Sequence, residues 1–335
     1  MNLNYLGGIL RDQPKYRLKQ VEEAIYRELI TNWDKMTTLP LKLREELKQK
    51  CSLGIDAEIF ESKNKDTTRA LITLEDGERI ETVLIKHRDR HTVCVSSQVG
   101  CSLRCNFCAT GMMGFKRDLT KEEIIEQVLF FSRYIREKYK AEDRVTNVVF
   151  MGMGEPFLNY NNVMKSISDL NDENKFNIGA RRISISTSGI IDGIEKLADE
   201  PLQINLAISL HAPNDKLRSK LMPINKKYNI ADVLEATKEY INKTSRQVMI
   251  EYIMIKGVND NPIFAKELAD RLSGGLYVVN LIACNPVGDF KPATTKAIEE
   301  FAEVLENNRI KITQRHKFGR DVEAACGQLA GGRRK

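Results

Sequence analysis

Three cysteines stand in the run Cys101-Ser102-Leu103-Arg104-Cys105-Asn106-Phe107-Cys108. Intervals this short let one loop aim three thiolates at a single iron–sulfur cubane. Three ligands leave the fourth iron open to a substrate, whereas a closed four-cysteine site carries electrons or braces a fold. A zinc knuckle would need a further nitrogen or sulfur donor nearby, and the sequence has no C-x2-C partner and no histidine pair at metal spacing. Two more cysteines carry possible chemistry: Cys94, just before the run, and Cys326, in Ala324-Ala325-Cys326-Gly327. Taken alone, both read as small buried hydrophobes or as reactive thiols.

The elements that must position these residues begin with a helical stretch. Leu18, Val21, Ile25 and Leu29 fall at helical spacing within residues 16–30, and Pro40 opens a second short helix carrying Leu41, Leu43 and Leu47. Residues 1–54 therefore read as a small helical accessory domain. Its Trp33 suits either core packing or contact with RNA. Residues 55–90 read as a connecting β-hairpin, because residues 68–74 and 79–85 flank the turn signal Asp76-Gly77. Alternation puts Glu81 on one face with Val83 and Ile85. An apolar face would raise its pKa for proton transfer. An edge strand would instead leave it facing solvent, the commoner arrangement for a charge.

From residue 91 to the end the pattern alternates strand and helix. Strands are expected at residues 93–97, 145–151, 182–188, 203–211, 248–256, 277–285 and 310–314. Helices are expected from Thr120, which with Glu123 forms a capping box, after Asn159, after Gly189, and at 229–242, 262–272 and 296–307. Repeated β/α units predict parallel strands wrapped by helices. In such folds ligands sit at the C-terminal strand ends. Gly154, Glu155, Ser186, Ser209, Leu210, His211 and Asn285 all fall there. Singly, each is a turn former or a hydrogen-bonded strand-end residue; together they converge where the cysteine loop emerges.

The chain of 335 residues, 42% hydrophobic and 29% charged, has the composition of a globular protein with one sizeable core. No apolar run approaches the roughly 20 residues of a membrane span, and Met1-Asn2-Leu3-Asn4-Tyr5-Leu6 does not open a signal peptide. Seven cysteines, three of them clustered, suit a reducing compartment, so a cytoplasmic location is expected. A net charge of +6 permits a polyanionic partner without requiring one. Arg309, Lys311, Arg315, Lys317, Arg320, Arg333, Arg334 and Lys335 concentrate positive charge near the end, for phosphate contact or for solubility. No P-loop and no strand-linked GxGxxG suggests a nucleotide site.

The cysteine loop resembles that of the radical S-adenosylmethionine (radical SAM) superfamily. Val93-Cys94-Val95-Ser96-Ser97-Gln98-Val99-Gly100, Met151-Gly152-Met153-Gly154-Glu155-Pro156 and Ala324-Ala325-Cys326-Gly327-Gln328-Leu329 narrow the resemblance to the RlmN/Cfr family of RNA adenine methyltransferases. It runs over nearly the whole chain. It implies an α/β fold, an open, partial (β/α) barrel of six or more strands, with the helical accessory domain and the hairpin appended. It also implies one 4Fe-4S cluster on Cys101, Cys105 and Cys108, and two S-adenosylmethionine molecules per turnover. Gly154 and Glu155 would meet the amino group of S-adenosylmethionine; Ser186, Ser209, Leu210, His211 and Asn285 would contact its carboxylate, ribose or adenine.

Carbons 2 and 8 of adenine are electrophilic and cannot attack a sulfonium methyl. The resemblance therefore implies that Cys326 is methylated first, that a 5′-deoxyadenosyl radical activates that methyl, and that the adduct joins protein to RNA. Cys94 would resolve it through a transient disulfide with Cys326, and either Glu81 or Cys94 would take the ring proton. Carbon 2 methylation of 23S rRNA and of adenosine 37 in some tRNAs is the reading favoured by Pro156; carbon 8 methylation, as in Cfr-type resistance enzymes, is the alternative. Ala283-Cys284 departs from the family's usual Pro and aromatic before Asn285. A non-enzymatic iron–sulfur or zinc RNA-binding module would explain the loop, but not Cys94, Cys326 or the strand ends. An electron donor such as flavodoxin or ferredoxin, a monomeric state and no membrane partner complete the expectation.

Overall fold

The computed structural model describes residues 3–139, 143–314, 319 and 321–332. Arg315, Lys317, Arg320, Arg333, Arg334 and Lys335, six of the eight basic residues singled out near the end, lie outside the described residues. The chain opens with helices α1 (Leu6–Leu10), α2 (Lys15–Tyr26) and α3 (Leu41–Lys50). Val21 and Ile25 of α2 and Leu43 and Leu47 of α3 are buried, whereas Leu18 is exposed. Trp33 is a core residue, 2% exposed, and its indole N–H donates to the Cys51 carbonyl at 2.6 Å.

Helix α2 stops at Tyr26, short of the expected residue 30, and Leu29 takes a positive φ of 53°. The carbonyls released there find cationic donors on a distant helix, α5 (Lys121–Lys138). Arg136 donates to the carbonyls of Arg27 and Glu28, each at 2.6 Å, and Arg133 to those of Ile30 at 2.6 Å and Leu53 at 2.7 Å. Ile30 and Leu53 are buried, so their carbonyls must be satisfied within the protein, and α5 supplies the partners. The start of α5 is as its sequence predicts. Thr120 accepts from the Glu123 N–H at 3.2 Å, and the Glu123 carboxylate accepts from the Thr120 N–H at 2.8 Å.

The strands are β1 (Asp56–Glu61), β2 (Thr67–Thr73), β3 (Arg79–His87), β4 (Arg90–Cys94), β5 (Gln98–Gly100), β6 (Phe115–Asp118), β7 (Asn147–Phe150), β8 (Ile183–Thr187), β9 (Asn205–Ser209), β10 (Val248–Met254), β11 (Tyr277–Ala283) and β12 (Lys311–Gln314). Ten of them form one open sheet in the order β1-β2-β3-β4-β7-β8-β9-β10-β11-β12. From β4 to β12 the neighbours are parallel, and the first four strands are antiparallel. Crossovers are α5, α6 (Tyr160–Asn171), α7 (Ile191–Asp199), α8 (Asp215–Leu221) with α9 (Ile230–Thr244), α10 (Pro262–Leu272) and α11 (Thr295–Asn307). This is the expected partial β/α barrel.

Two features differ from the expectation. Residues 55–90 do not stand apart as a connector: β1 adds a third strand, and all three continue the main sheet. Strand β3 is therefore flanked on both sides, and Glu81 is fully buried rather than solvent-facing. The second feature is the small antiparallel pair β5–β6, which brackets the cysteine loop and a single turn, α4 (Ala109–Met112).

Candidate active site

The C-terminal ends of the parallel strands open on one cavity, lined by Cys108, Gly154, Glu155, Ser186, Ser209, His211 and Cys326 among others. Gly154 holds φ at +101°, and a Cβ there would lie 2.6 Å from that of Gln98, so the turn admits only glycine. That turn delivers Glu155, 2% exposed, whose carboxylate accepts from the backbone N–H groups of Ser188 at 2.8 Å and Phe157 at 3.2 Å. Burial pushes this carboxyl above the ordinary carboxylate range, and donors on Ser188, Thr187 and Phe157 offset part of the shift. A buried carboxylate so placed favours a cationic ligand, such as an ammonium group.

Ser186 and Ser209 touch through their hydroxyls at 3.2 Å. His211, at φ +60°, accepts the Ile253 N–H on Nδ1 at 3.1 Å and meets Phe107 edge to face at 5.0 Å. Burial lowers its pKa to about 3, so the ring is neutral and serves as an acceptor. Leu210 is completely buried behind the cavity, its carbonyl receiving Arg218 Nε at 3.3 Å. Asn285 does not line the cavity; its amide donates to the Cys326 carbonyl at 3.1 Å.

The cysteine loop is pinned by Cys101 N–H to Gly114 at 3.0 Å and by Asn106 N–H to Leu221 at 2.9 Å. Burial pushes the Cys101 thiol up to about 12 and the Cys105 thiol well above its ordinary value, and negative charge on Cys108 acts in the same direction on both. Thiols so raised as those of Cys101 and Cys105 give up their protons only to a strongly cationic group, and an iron cluster is one. Among the described residues no three His, Cys, Asp or Glu side chains are drawn together tightly enough for a single metal ion. Arg218, fully buried, faces Cys105 electrostatically and spends its guanidinium on the carbonyls of Ser188 and Tyr228 and on Asn225. The donor set fits an iron–sulfur group held by Cys101, Cys105 and Cys108.

Cys326 lines the cavity on a loop whose Gly327 carbonyl accepts the Ala109 N–H at 2.7 Å. Gly327 has φ +83°, and a Cβ there would come within 3.0 Å of the Phe107 carbonyl, so this loop and the cysteine loop meet backbone to backbone. Cys94 is buried at the end of β4 and does not line the cavity; no disulfide joins any of the seven cysteines. Glu81 does not line it either. Its carboxylate ion-pairs with Arg69, an arrangement neither the apolar-face nor the solvent-facing reading anticipated, and also accepts the Ala330 N–H at 2.6 Å. Cys284 is a core residue beside Met222 and Ile255.

Sequence reasoning missed Glu251, a cavity residue on β10 whose carboxylate accepts from the Asn280 amide at 2.8 Å. A lone charge in the apolar run Val248–Met254 was the available signal, because strands buried on both faces are otherwise continuously hydrophobic. Arg218 carried no such signal, since basic residues surround it.

An open parallel β/α sheet with a three-thiol loop over its strand ends defines a radical SAM enzyme, and the model of the Radical SAM superfamily matches residues 95–266. A crystal structure of a radical SAM methyltransferase from Sphaerobacter thermophilus superposes with a TM-score of 0.93 at 43% identity, covering 99% of this chain and 98% of that one. Relatives described as probable dual-specificity RNA methyltransferase RlmN are 45% identical in Dictyoglomus thermophilum, over 98% of this chain and 94% of the relative. One from Thermotoga petrophila is 45% identical over 94% and 91%. The chain belongs to the RlmN family of radical SAM methyltransferases. The family implies a 4Fe-4S cluster and S-adenosylmethionine as its cofactors. No helix among the described residues is long and apolar enough to cross a membrane.

Proposed function

We propose that this enzyme methylates carbon 2 of adenosine in 23S rRNA, in the peptidyl-transferase centre, and of adenosine 37 in some tRNAs. The observation that carries the reading is Cys326 in the wall of the same cavity as Cys108, Glu155 and Ser186. One cavity then serves both to load a methyl group on the Cys326 sulfur and to activate it. Cluster and S-adenosylmethionine together supply a hydrogen-abstracting radical when bound, at the cost of two S-adenosylmethionine molecules per turnover.

The protein's own residues divide the remaining work. Cys101, Cys105 and Cys108 hold the cluster. The backbone at Gly154 and the Glu155 carboxylate receive the amino group of S-adenosylmethionine, while Ser186, Ser209 and neutral His211 orient its polar remainder. Leu210 and Asn285 act from behind, by backbone position and by fixing the Cys326 carbonyl. Cys94 attacks the Cys326 sulfur to release the methylated RNA, forming a transient disulfide, and it or Glu81 takes the ring proton. The helices of residues 1–54 and the basic residues near the C-terminus meet RNA phosphates. The enzyme works as a cytoplasmic monomer fed by flavodoxin or ferredoxin.

Two measurements test this. Nucleosides from adenosine-containing ribosomal RNA, incubated anaerobically with reconstituted enzyme, S-adenosylmethionine and reductant, should contain 2-methyladenosine by mass spectrometry. An 8-methyladenosine peak would transfer the enzyme to the carbon 8 reaction, and no methylated adenosine would overturn the reading. Cys94→Ala should purify with RNA covalently attached; a mass and absorbance unchanged by nuclease would remove Cys94 from its role.

A further inference from the structure

Arg69 and Glu81 are 2% and 0% exposed and ion-paired. Burying such a pair costs several kcal/mol per ion in lost hydration, so stability alone is a weak reason to keep it. What distinguishes this pair is where its remaining valences go. Arg69 Nε donates to the Val322 carbonyl at 2.8 Å, and the second Glu81 oxygen accepts the Ala330 N–H at 2.6 Å. Both partners lie on the terminal segment, and they bracket Cys326. Two neighbouring strands, joined by the tight Asp76-Gly77 turn, thus grip that segment on either side of the cavity cysteine.

The backbone of Glu81 reaches the opposite way. Its carbonyl accepts the Ser96 hydroxyl at 2.6 Å, and that hydroxyl accepts the Met153 N–H at 2.9 Å. Met153 belongs to the turn that presents Gly154 and Glu155. One residue therefore ties the Cys326 segment to the wall of the cavity through a run of three hydrogen bonds.

From this geometry we infer that Arg69 and Glu81 form a clasp that sets the position of Cys326 over the cavity, with Arg69 as a positioning residue in the methyl loading of that cysteine. The inference rests on the reading of Cys326 as methyl carrier. Arginine is required rather than any cation. Its fork serves Glu81 and Val322 at once, and a lysine ammonium placed on Glu81 gives up the Val322 carbonyl.

The test uses full-length, cluster-reconstituted enzyme with three variants: Arg69→Lys, Arg69→Gln and the apolar pair Arg69→Met/Glu81→Leu. The last removes both charges together, so it avoids the penalty of leaving a single charge buried. Backbone hydrogen exchange of residues 322–330 should accelerate at least about tenfold in the double variant and in Arg69→Gln. Arg69→Lys should exchange faster near Val322 while its melting temperature stays near that of the parent. The methylated fraction of Cys326, read as a 14 Da increment by mass spectrometry, should fall at least about tenfold in the double variant while its iron and sulfide content and its S-adenosylmethionine affinity stay those of the parent.

Unchanged exchange in the double variant would overturn the clasp. Faster exchange with full methylation of Cys326 would overturn the positioning role. A parent enzyme with no methyl on Cys326 would overturn the carrier reading itself, and the exchange data would still decide the clasp.

Discussion

The two parts of the sheet bury a carboxylate in opposite ways. In the antiparallel flank, Glu81 is completed by the protein itself, with Arg69 beside it and the Ala330 N–H above. In the parallel part, Glu155 is nearly as buried, yet the groups acting on it most strongly are backbone and hydroxyl donors, and burial leaves its carboxyl raised. A carboxylate that carries its own cation is held in place by the protein. One held by neutral donors at a cavity wall is prepared for a cation from outside.

Removing a ligand on the parallel side breaks the contrast most completely. Cys105→Ser should abolish stable iron binding and 5′-deoxyadenosine formation, seen by iron analysis and anaerobic turnover, while the Arg69–Glu81 pair stays in place. On the antiparallel side, Arg69→Met strands a buried carboxylate. It should destabilise the protein by about 3–5 kcal/mol in denaturant titration, and a loss below about 1 kcal/mol would show that Glu81 is solvated.

The sharper comparison exchanges charge for isostere at both carboxylates. Glu155→Gln should weaken S-adenosylmethionine binding about 10- to 100-fold, the loss of a hydrogen bond to a charged group. It should leave unliganded stability unchanged or higher, because the amide resembles the neutral carboxyl that burial favours there. Glu81→Gln should do the reverse, lowering the melting temperature with little change in that affinity. Equal behaviour of the two would dissolve the distinction.

The cavity's histidine gives a pH signature. Its folded-state pKa, about 3, lies below the unfolded value of about 6.5, so folding sheds a proton and stability falls as pH drops below 6.5. By pH 5 the loss should reach about 2 kcal/mol, and His211→Asn should flatten that slope. The smallest effect expected is at the start of α5, where Thr120→Ala should cost about 1 kcal/mol and leave both carboxylates untouched.

Local signals made most of the fold legible. The capping box at Thr120 and Glu123, the Asp76-Gly77 turn and the β/α alternation each depend on neighbours in sequence, and each is where it was expected. Strands β1 and β6, Asp-Ala-Glu-Ile-Phe-Glu and Phe-Lys-Arg-Asp, escaped because they are short and polar and borrow their order from partners. Gly154, Glu155, Ser186, Ser209 and His211 were legible together because parallel topology sends strand ends to one side, whereas Leu210 and Asn285 do not line the cavity. Partners of Glu81 were half legible. Once the hairpin register is set, Arg69 opposite Val83 stands diagonal to Glu81 opposite Leu71, within reach of a long side chain. The backbone groups of Val322 and Ala330 were not, because nothing periodic in the terminal segment announces where it lies.

The arginines of α5 also bear on the order in which the chain acquires its shape. The Leu53 carbonyl waits for Arg133, 80 residues later, and those of Arg27 and Glu28 wait more than 100 residues for Arg136. At synthesis rates of about 5–20 residues per second, an 80-residue wait lasts about 4–16 s. During that interval the first helices exist without their anchor, so the N-terminal unit is the first part made but is not locked until α5 follows it.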